Sequence, residues 1–200
     1  SGYSKWYRPF FHRFAYSFGS PNYLTESSSC MTSTFLNWWV TTGNPMCSSD
    51  VLNAGVFLGW AYNPYYSRHL AALNVEKRKA EGMKVIIVDP RITPAALKLA
   101  DIHLRPRTGT DGAVALGLAH ILIRDGKTDQ DYIEKYVYGY PQFAEYVKDF
   151  TPERVERLTG VPAGQLEQAA AMIAGNLPLA INESAAPLAH HRNGFQNYRA

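Results

Sequence analysis

An α/β fold built on a parallel sheet is predicted by three observations. Helix-forming and β-branched segments alternate from about residue 66 to residue 181. The clearest strand, Val85-Ile86-Ile87-Val88, is a continuous apolar run, which is how a strand buried on both faces reads. That run ends in Asp89-Pro90-Arg91, so polar groups gather at the strand's carboxyl end, where open α/β sheets bind ligands.

Each element has a local reason. Residues 66–80 are rich in Ala, Leu, Glu, Lys and Arg, and Gly82 stands where a helix C-terminal glycine belongs. After Val85–Val88, Thr93-Pro94 opens a second helix, proline being acceptable at the first helical position. Ile102 to Leu104 is a brief strand. Thr110 or Asp111 caps a helix that stacks Leu118, Ile121 and Leu122 on one face and ends near Gly126. Thr151-Pro152-Glu153 repeats the cap-plus-proline signal, Pro162 to Ala174 forms another helix, and Leu177 to Ile181 returns as a strand.

Residues 1–65 differ. They are rich in aromatics, Ser, Thr, Gly and Pro and weakly periodic, and they read as the tail of another domain feeding the α/β unit. Phe35 and the Trp38-Trp39 pair are assigned to a core rather than to a functional aromatic box. His12, His69, His103 and His120 read as structural or surface residues.

Composition narrows the function classes. The 200 residues are 46% hydrophobic and 18% charged, an ordinary globular balance. A net charge of +3 with no Lys/Arg run argues against nucleic acid as partner. No apolar run approaches the roughly 20 residues of a membrane-spanning helix. The two cysteines, Cys30 and Cys47, are too few to build a zinc or iron–sulfur site by themselves; a disulfide between them stays open. The sequence lacks an initiator methionine and stops in mid-pattern at Asn197-Tyr198-Arg199-Ala200, and we read it as part of a longer polypeptide.

Four segments carry chemistry. Gly19-Ser20-Pro21-Asn22 is a turn followed, after Glu26 and three serines, by Cys30, a soft thiolate in a setting that suits a metal. Gly59-Trp60-Ala61-Tyr62-Asn63-Pro64 turns into a helix start near Ser67, where backbone N–H groups suit a phosphate. Asp89-Pro90-Arg91-Ile92-Thr93 leaves a strand. Arg107-Thr108-Gly109-Thr110-Asp111 is a glycine turn ending in a carboxylate that can accept from the N1 and N2 hydrogens of guanine, while arginine and helix-start amides can bind a diphosphate. Alone, Gly-Thr-Asp is usually a helix cap and Asp-Pro-Arg a strand-ending turn.

In this order the segments resemble the molybdopterin oxidoreductases of the dimethyl sulfoxide reductase family. That family has a Gly-Ser/Thr-Pro/Asn-Asn turn ahead of its metal-binding Cys, selenocysteine or Ser. A Trp-Gly-Ser-Asn-Pro-like turn, Asp-Pro-Arg-x-Thr, Ala-Asp followed by Gly-Thr-Asp, and His-x-x-Gly come next. Here these fall at Gly19 to Cys30, Trp60 to Pro64, Asp89 to Thr93, Ala100-Asp101 with Gly109 to Asp111, and His191 to Gly194. Ala61 stands where the family's turn usually has glycine, and Glu26 where related oxyanion reductases more often have histidine.

The resemblance implies a Rossmann-like parallel-sheet domain joined to part of a second, mixed cofactor-binding domain. Residues 1–50 would belong to the metal-cysteine domain, 51–180 to the guanine-dinucleotide domain, and 181–200 would return to the first. The implied cofactor is bis(molybdopterin guanine dinucleotide) with Mo or W. Cys30 would ligate the metal and tune it, with Glu26 and His191 as candidate catalytic groups. Asn22, Trp60, Asn63, Pro64, Ser67, Asp89, Pro90, Arg91, Thr93, Gly109, Thr110 and Asp111 would bind the cofactor. Glu183, Ser184 and Gly194 would approach the other pterin or the substrate funnel.

The implied activity is that of a catalytic subunit moving two electrons or an oxygen atom to or from a small substrate, with a [4Fe-4S] cluster N-terminal to this sequence and an iron–sulfur partner subunit. An extracytoplasmic setting is favoured by analogy alone. Two other readings compete: a non-redox nucleotide-binding α/β domain, and a tungsten-type hydratase using the same cofactor.

Overall fold

The computed structural model describes residues 8–22, 32–44, 49–184 and 194–200. Helices α1 (Arg8–Ser17) and α2 (Thr32–Thr42) precede the sheet. Then come β1 (Val56–Trp60), the short α3 (Pro64–Ser67), α4 (His69–Ala80), β2 (Lys84–Val88), α5 (Pro94–Leu99) and β3 (Ile102–Leu104). Helices α6 (Asp111–Arg124), α7 (Gln130–Tyr136), α8 (Tyr140–Val147), α9 (Pro152–Thr159) and α10 (Ala163–Gly175) follow, before β4 (Leu179–Glu183) and α11 (Gly194–Arg199).

The strands lie in the order β3-β2-β1-β4, all parallel. Their register aligns Leu104, Val88, Trp60 and Glu183 in one row at the carboxyl edge. Everything that leaves the sheet at that edge is therefore brought side by side.

Side-chain alternation builds two cores. Val56, Leu58, Trp60, Ile86, Val88 and Leu104 face α6, α9 and α10 through Val114, Leu118, Ile121, Val155, Leu166 and Ala169. Phe57, Val85 and Ile87 face the opposite way, onto Val75, Ala95 and Leu99 of α4 and α5. Burial on both sides explains why β2 reads as an unbroken apolar run. On the first face α6 lies close against its neighbours. A Cβ on Gly117 would stand 2.8 Å from Val155 Cγ2 and 2.9 Å from Leu166 Cδ2.

Two of the predicted side-chain caps hold, at Thr93 and Thr151, while Thr110 does not cap its helix with its side chain. Thr93 Oγ1 accepts from Ala96 N (3.2 Å) with Pro94 at the start of α5. Thr151 Oγ1 accepts from Arg154 N (3.4 Å), and Gly160 closes α9 in the left-handed conformation. The helix expected over 66–80 begins earlier, at Pro64, and is broken at Arg68, whose extended backbone (φ −154°, ψ 72°) separates α3 from α4. The last strand is shifted by two residues, to Leu179–Glu183, and the cis Leu177-Pro178 bond precedes it.

Three further differences have physical causes. Within residues 1–65, read as the tail of another domain, Val56–Trp60 is a strand hydrogen-bonded on both sides. Its Gly59 accommodates the close approach of Ile87, whose Cδ1 would lie 2.8 Å from an added Cβ. Helices α7 and α8 occupy residues to which the sequence assigned no element. The core placement of Trp39 is incorrect: it is 57% exposed, because α2 buries Thr34 and Asn37 instead, while Phe35 and Trp38 are partly buried and meet edge to face at 6.4 Å.

Candidate functional site

The row Leu104–Val88–Trp60–Glu183 is the floor of the site, and the loops leaving it are the walls. From β1 the chain makes a tight turn: Ala61 adopts φ +50°, the one positive φ outside glycine among the described residues, and its N–H donates to Val88 O (2.7 Å). That is why glycine suits the position better. The turn delivers Asn63, which caps α3 only with its backbone. Asn63 is buried, yet neither its carboxamide oxygen nor its nitrogen has a partner. Pro64 is buried at the first position of α3, and Ser67 Oγ donates to Asn63 O (3.2 Å). Tyr62 is buried beside them; burial pushes its phenol above the usual value, partly opposed by the charge of Arg68.

From β2 come Asp89 and Arg91. The Asp89 carboxylate is 3% exposed and accepts the Arg91 N–H (2.8 Å), while the Arg91 guanidinium lies 3.6 Å from the same oxygen and is largely free to solvent. Pro90 O accepts long contacts from Arg105 (3.4 Å to Nε), and His103 Nε2 lies 2.9 Å from Asp89 O. Thr93, expected to touch ligand, is buried and accepts the Ala96 N–H with its hydroxyl, capping α5.

From β3 the chain passes Gly109 (φ +86°) into α6. Thr110 precedes α6, but its hydroxyl donates to Arg107 O (2.7 Å) rather than capping the helix. Asp111, 6% exposed, opens the helix and accepts a hydrogen bond from the Trp60 indole, Nε1 to Oδ1 2.9 Å. Trp60 therefore works through Asp111. Its other carboxylate oxygen has no hydrogen bond among those described. From β4 come Glu183 and Ser184, whose N–H donates to Trp60 O (3.0 Å). Burial raises the Glu183 carboxyl above its usual value, against a smaller lowering by its own backbone N–H.

The structure thus brings together Trp60, Asn63, Pro64, Ser67, Asp89, Pro90, Arg91, Gly109, Thr110 and Asp111 around one sheet edge. Asn22 is exposed, in a loop where its N–H donates to Ser20 Oγ (3.3 Å). Cys30, Glu26, His191 and Cys47 lie outside the described residues. Asp101, quoted with the Gly-Thr-Asp motif, is at the opposite edge: its carboxylate accepts from Val85 N (2.7 Å) and Lys79 Nζ (2.6 Å). Sequence reasoning passed over the Arg105 side of the site. There a cleft of about 490 Å³ runs between Pro90, His103, Arg105 and Arg107 and the α9–α10 junction at Gly160. The signal was a second basic residue directly after a strand end.

An orphaned carboxamide, a tethered carboxylate, a helix start and a solvent-exposed guanidinium at one edge offer donors, an acceptor and positive charge to a polar, anionic group. The residues present fit a molybdopterin cofactor.

Comparison with known proteins identifies the family. Residues 5–193 match the molybdopterin oxidoreductase family model. Acetylene hydratase of Syntrophotalea acetylenica is 32% identical over 173 residues, 84% of this chain and 23% of that protein. Formate dehydrogenase H of Escherichia coli is 31% identical over 126 residues, 63% of this chain and 18% of that protein. Among solved structures, acetylene hydratase from Pelobacter acetylenicus superposes with a TM-score of 0.82 at 26% identity, covering 95% of this chain and 26% of that one. The chain spans about a fifth of the length of these curated relatives. With its motifs gathered at the sheet edge that the family model also covers, the chain belongs to the molybdopterin oxidoreductases.

Proposed function

We propose that this chain is the dinucleotide-holding part of a catalytic subunit that carries a molybdenum or tungsten centre on bis(molybdopterin guanine dinucleotide). The enzyme would perform two-electron or oxygen-atom transfer on a small substrate. The observation that carries the reading is the buried, unpartnered carboxamide of Asn63 facing the same sheet edge as the Trp60-tethered Asp111. The guanine dinucleotide form, the domain division at residues 50 and 180, a [4Fe-4S] cluster and an iron–sulfur partner subunit belong to this proposal.

When bound, the cofactor supplies the two-electron chemistry of its metal. The residues supply binding and order. Asp111 accepts from the base, its carboxylate held in one orientation by the Trp60 N–H; the buried Asn63 offers a donor and an acceptor. Arg91, paired with Asp89 at 3.6 Å through Nε but with its side chain 74% exposed, neutralises diphosphate charge. Cys30 is assigned as the protein's metal ligand. Glu26 and His191 are assigned as proton-handling groups near it.

Elemental analysis of the protein purified from its host, with guanine release assayed alongside, tests the reading. About one Mo or W and two guanines per chain is expected; neither metal nor guanine in folded protein would overturn it. Cys30→Ala is expected to abolish turnover with the fold intact.

A hydratase is a second reading, favoured by the acetylene hydratase similarity over 95% of the chain. Electron transfer to a redox dye by the metal-loaded protein separates the two, since hydration consumes no electrons.

A further inference from the structure

Helix α2 begins two residues after Cys30, so at most about 7 Å of chain separates that residue from the helix. Whatever fixes α2 limits where Cys30 can stand. The face that α2 buries is polar. Asn37 is 2% exposed and Thr34 1% exposed, one helical turn apart. Asn37 Nδ2 donates to Tyr198 O in α11 (2.7 Å), while Asn37 Oδ1 and Thr34 Oγ1 have no partner. A buried amide with an orphaned oxygen costs stability, and an apolar residue of similar volume would avoid that cost. Folding alone gives no reason for it.

Its partner gives the reason. Tyr198 is joined to the site at its other end: its hydroxyl donates to Ser184 O (3.2 Å), immediately after β4. Ser184 N donates to Trp60 O (3.0 Å), and Trp60 Nε1 to Asp111 Oδ1 (2.9 Å). The neighbouring Asn197 also closes on α6. Its Oδ1 lies 2.7 Å from the place where a Cβ on Gly112 would stand, one residue past Asp111. A continuous polar path therefore runs Asn37–Tyr198–Ser184–Trp60–Asp111, from the helix after Cys30 to the carboxylate assigned to guanine.

We propose that Asn37 and Tyr198 are positioning residues, a buried strut that holds the helix following Cys30 in fixed relation to the nucleotide-binding edge of the sheet. The inference rests on the assignment of Cys30 and Asp111 made above. The strut acts through one directional amide bond, which fixes the rotation of α2 in a way that apolar contact does not.

Tyr198→Phe and Asn37→Leu test it in the metal-loaded full-length protein. Tyr198→Phe deletes only the hydroxyl that reaches Ser184; Asn37→Leu deletes the amide and its orphaned oxygen together. Amide hydrogen exchange over residues 32–42 is expected to quicken about tenfold, with β1 and β2 unchanged. Metal and guanine content should stay at wild-type levels, and the electron paramagnetic resonance signal of the one-electron-reduced metal should shift. Faster exchange with a superimposable signal would show a merely structural contact and overturn the positioning role. Unchanged exchange would mean there is no strut. A wild-type protein without metal or guanine would sink the functional assignment and the positioning role with it, while the exchange data would still report on the strut by itself.

Discussion

The indole nitrogen of Trp60 stands 2.9 Å from Asp111 Oδ1, and this one contact joins the end of β1 to the first turn of α6. Both groups are buried, so each is the other's means of avoiding an unsatisfied polar atom. The same contact holds the carboxylate in one orientation.

Trp60→Phe keeps an aromatic ring, smaller than the indole, and removes the donor. Stability to denaturant is expected to fall by about 1–3 kcal/mol, the cost of a buried acceptor left without its partner. Guanine retained after gel filtration should fall as well. Full retention of guanine would detach Trp60 from the site.

The left-handed backbone of Ala61 makes a sharper prediction. That conformation costs an L-residue about 1–2 kcal/mol, against about 0.8 kcal/mol for the buried carbon that glycine would lose. Ala61→Gly is therefore expected to leave the unfolding midpoint level or raised, although glycine usually destabilises. Ala61→Val, β-branched in the same place, should lower stability by about 2–3 kcal/mol. Denaturant melts of the two variants check both.

Glu183 gives a pH dependence. Burial holds its carboxyl above the usual 4.5, so the folded protein binds this proton more tightly than the unfolded chain. Stability from this group is greatest below 4.5 and is lost as pH rises through the raised value. Glu183→Gln is expected to be more stable than wild type at pH 7, with the difference vanishing below pH 4.5. Thermal melts across pH decide it; a gap independent of pH would mean that charge is not the cause.

At Gly117 the backbone of α6 meets Val155 and Leu166 too closely for a methyl group. Gly117→Ala, which would stabilise an exposed helix, is expected to cost about 1–3 kcal/mol here through overpacking. A gain in melting temperature would show that α9 and α10 can move away.

The sequence made some of this plain and hid the rest for physical reasons. β2 was legible because four β-branched residues in a row have few other uses, and the proline-started helices were legible from their caps. β1 was not, since Phe57-Leu58-Gly59-Trp60 is buried on both faces and so shows no alternation, while its glycine reads as a break. The motif residues Asn63, Asp89 and Asp111 were found by type and spacing. That Asp101 belongs to the far edge depends on which end of a strand it occupies. Asn37 was invisible: a polar residue among Phe35, Trp38 and Trp39 gives no sign that the helix turns it inward.

The common register of the four strand ends has a consequence for how such a protein is made. Asn63, Asp89, Asp111 and Glu183 lie on four separate segments of the chain, and all four stand at one edge only once β4 has paired beside β1. No shorter piece ending before Glu183 presents the whole edge. A ligand that engages all four would add its binding free energy to a sheet that already exists.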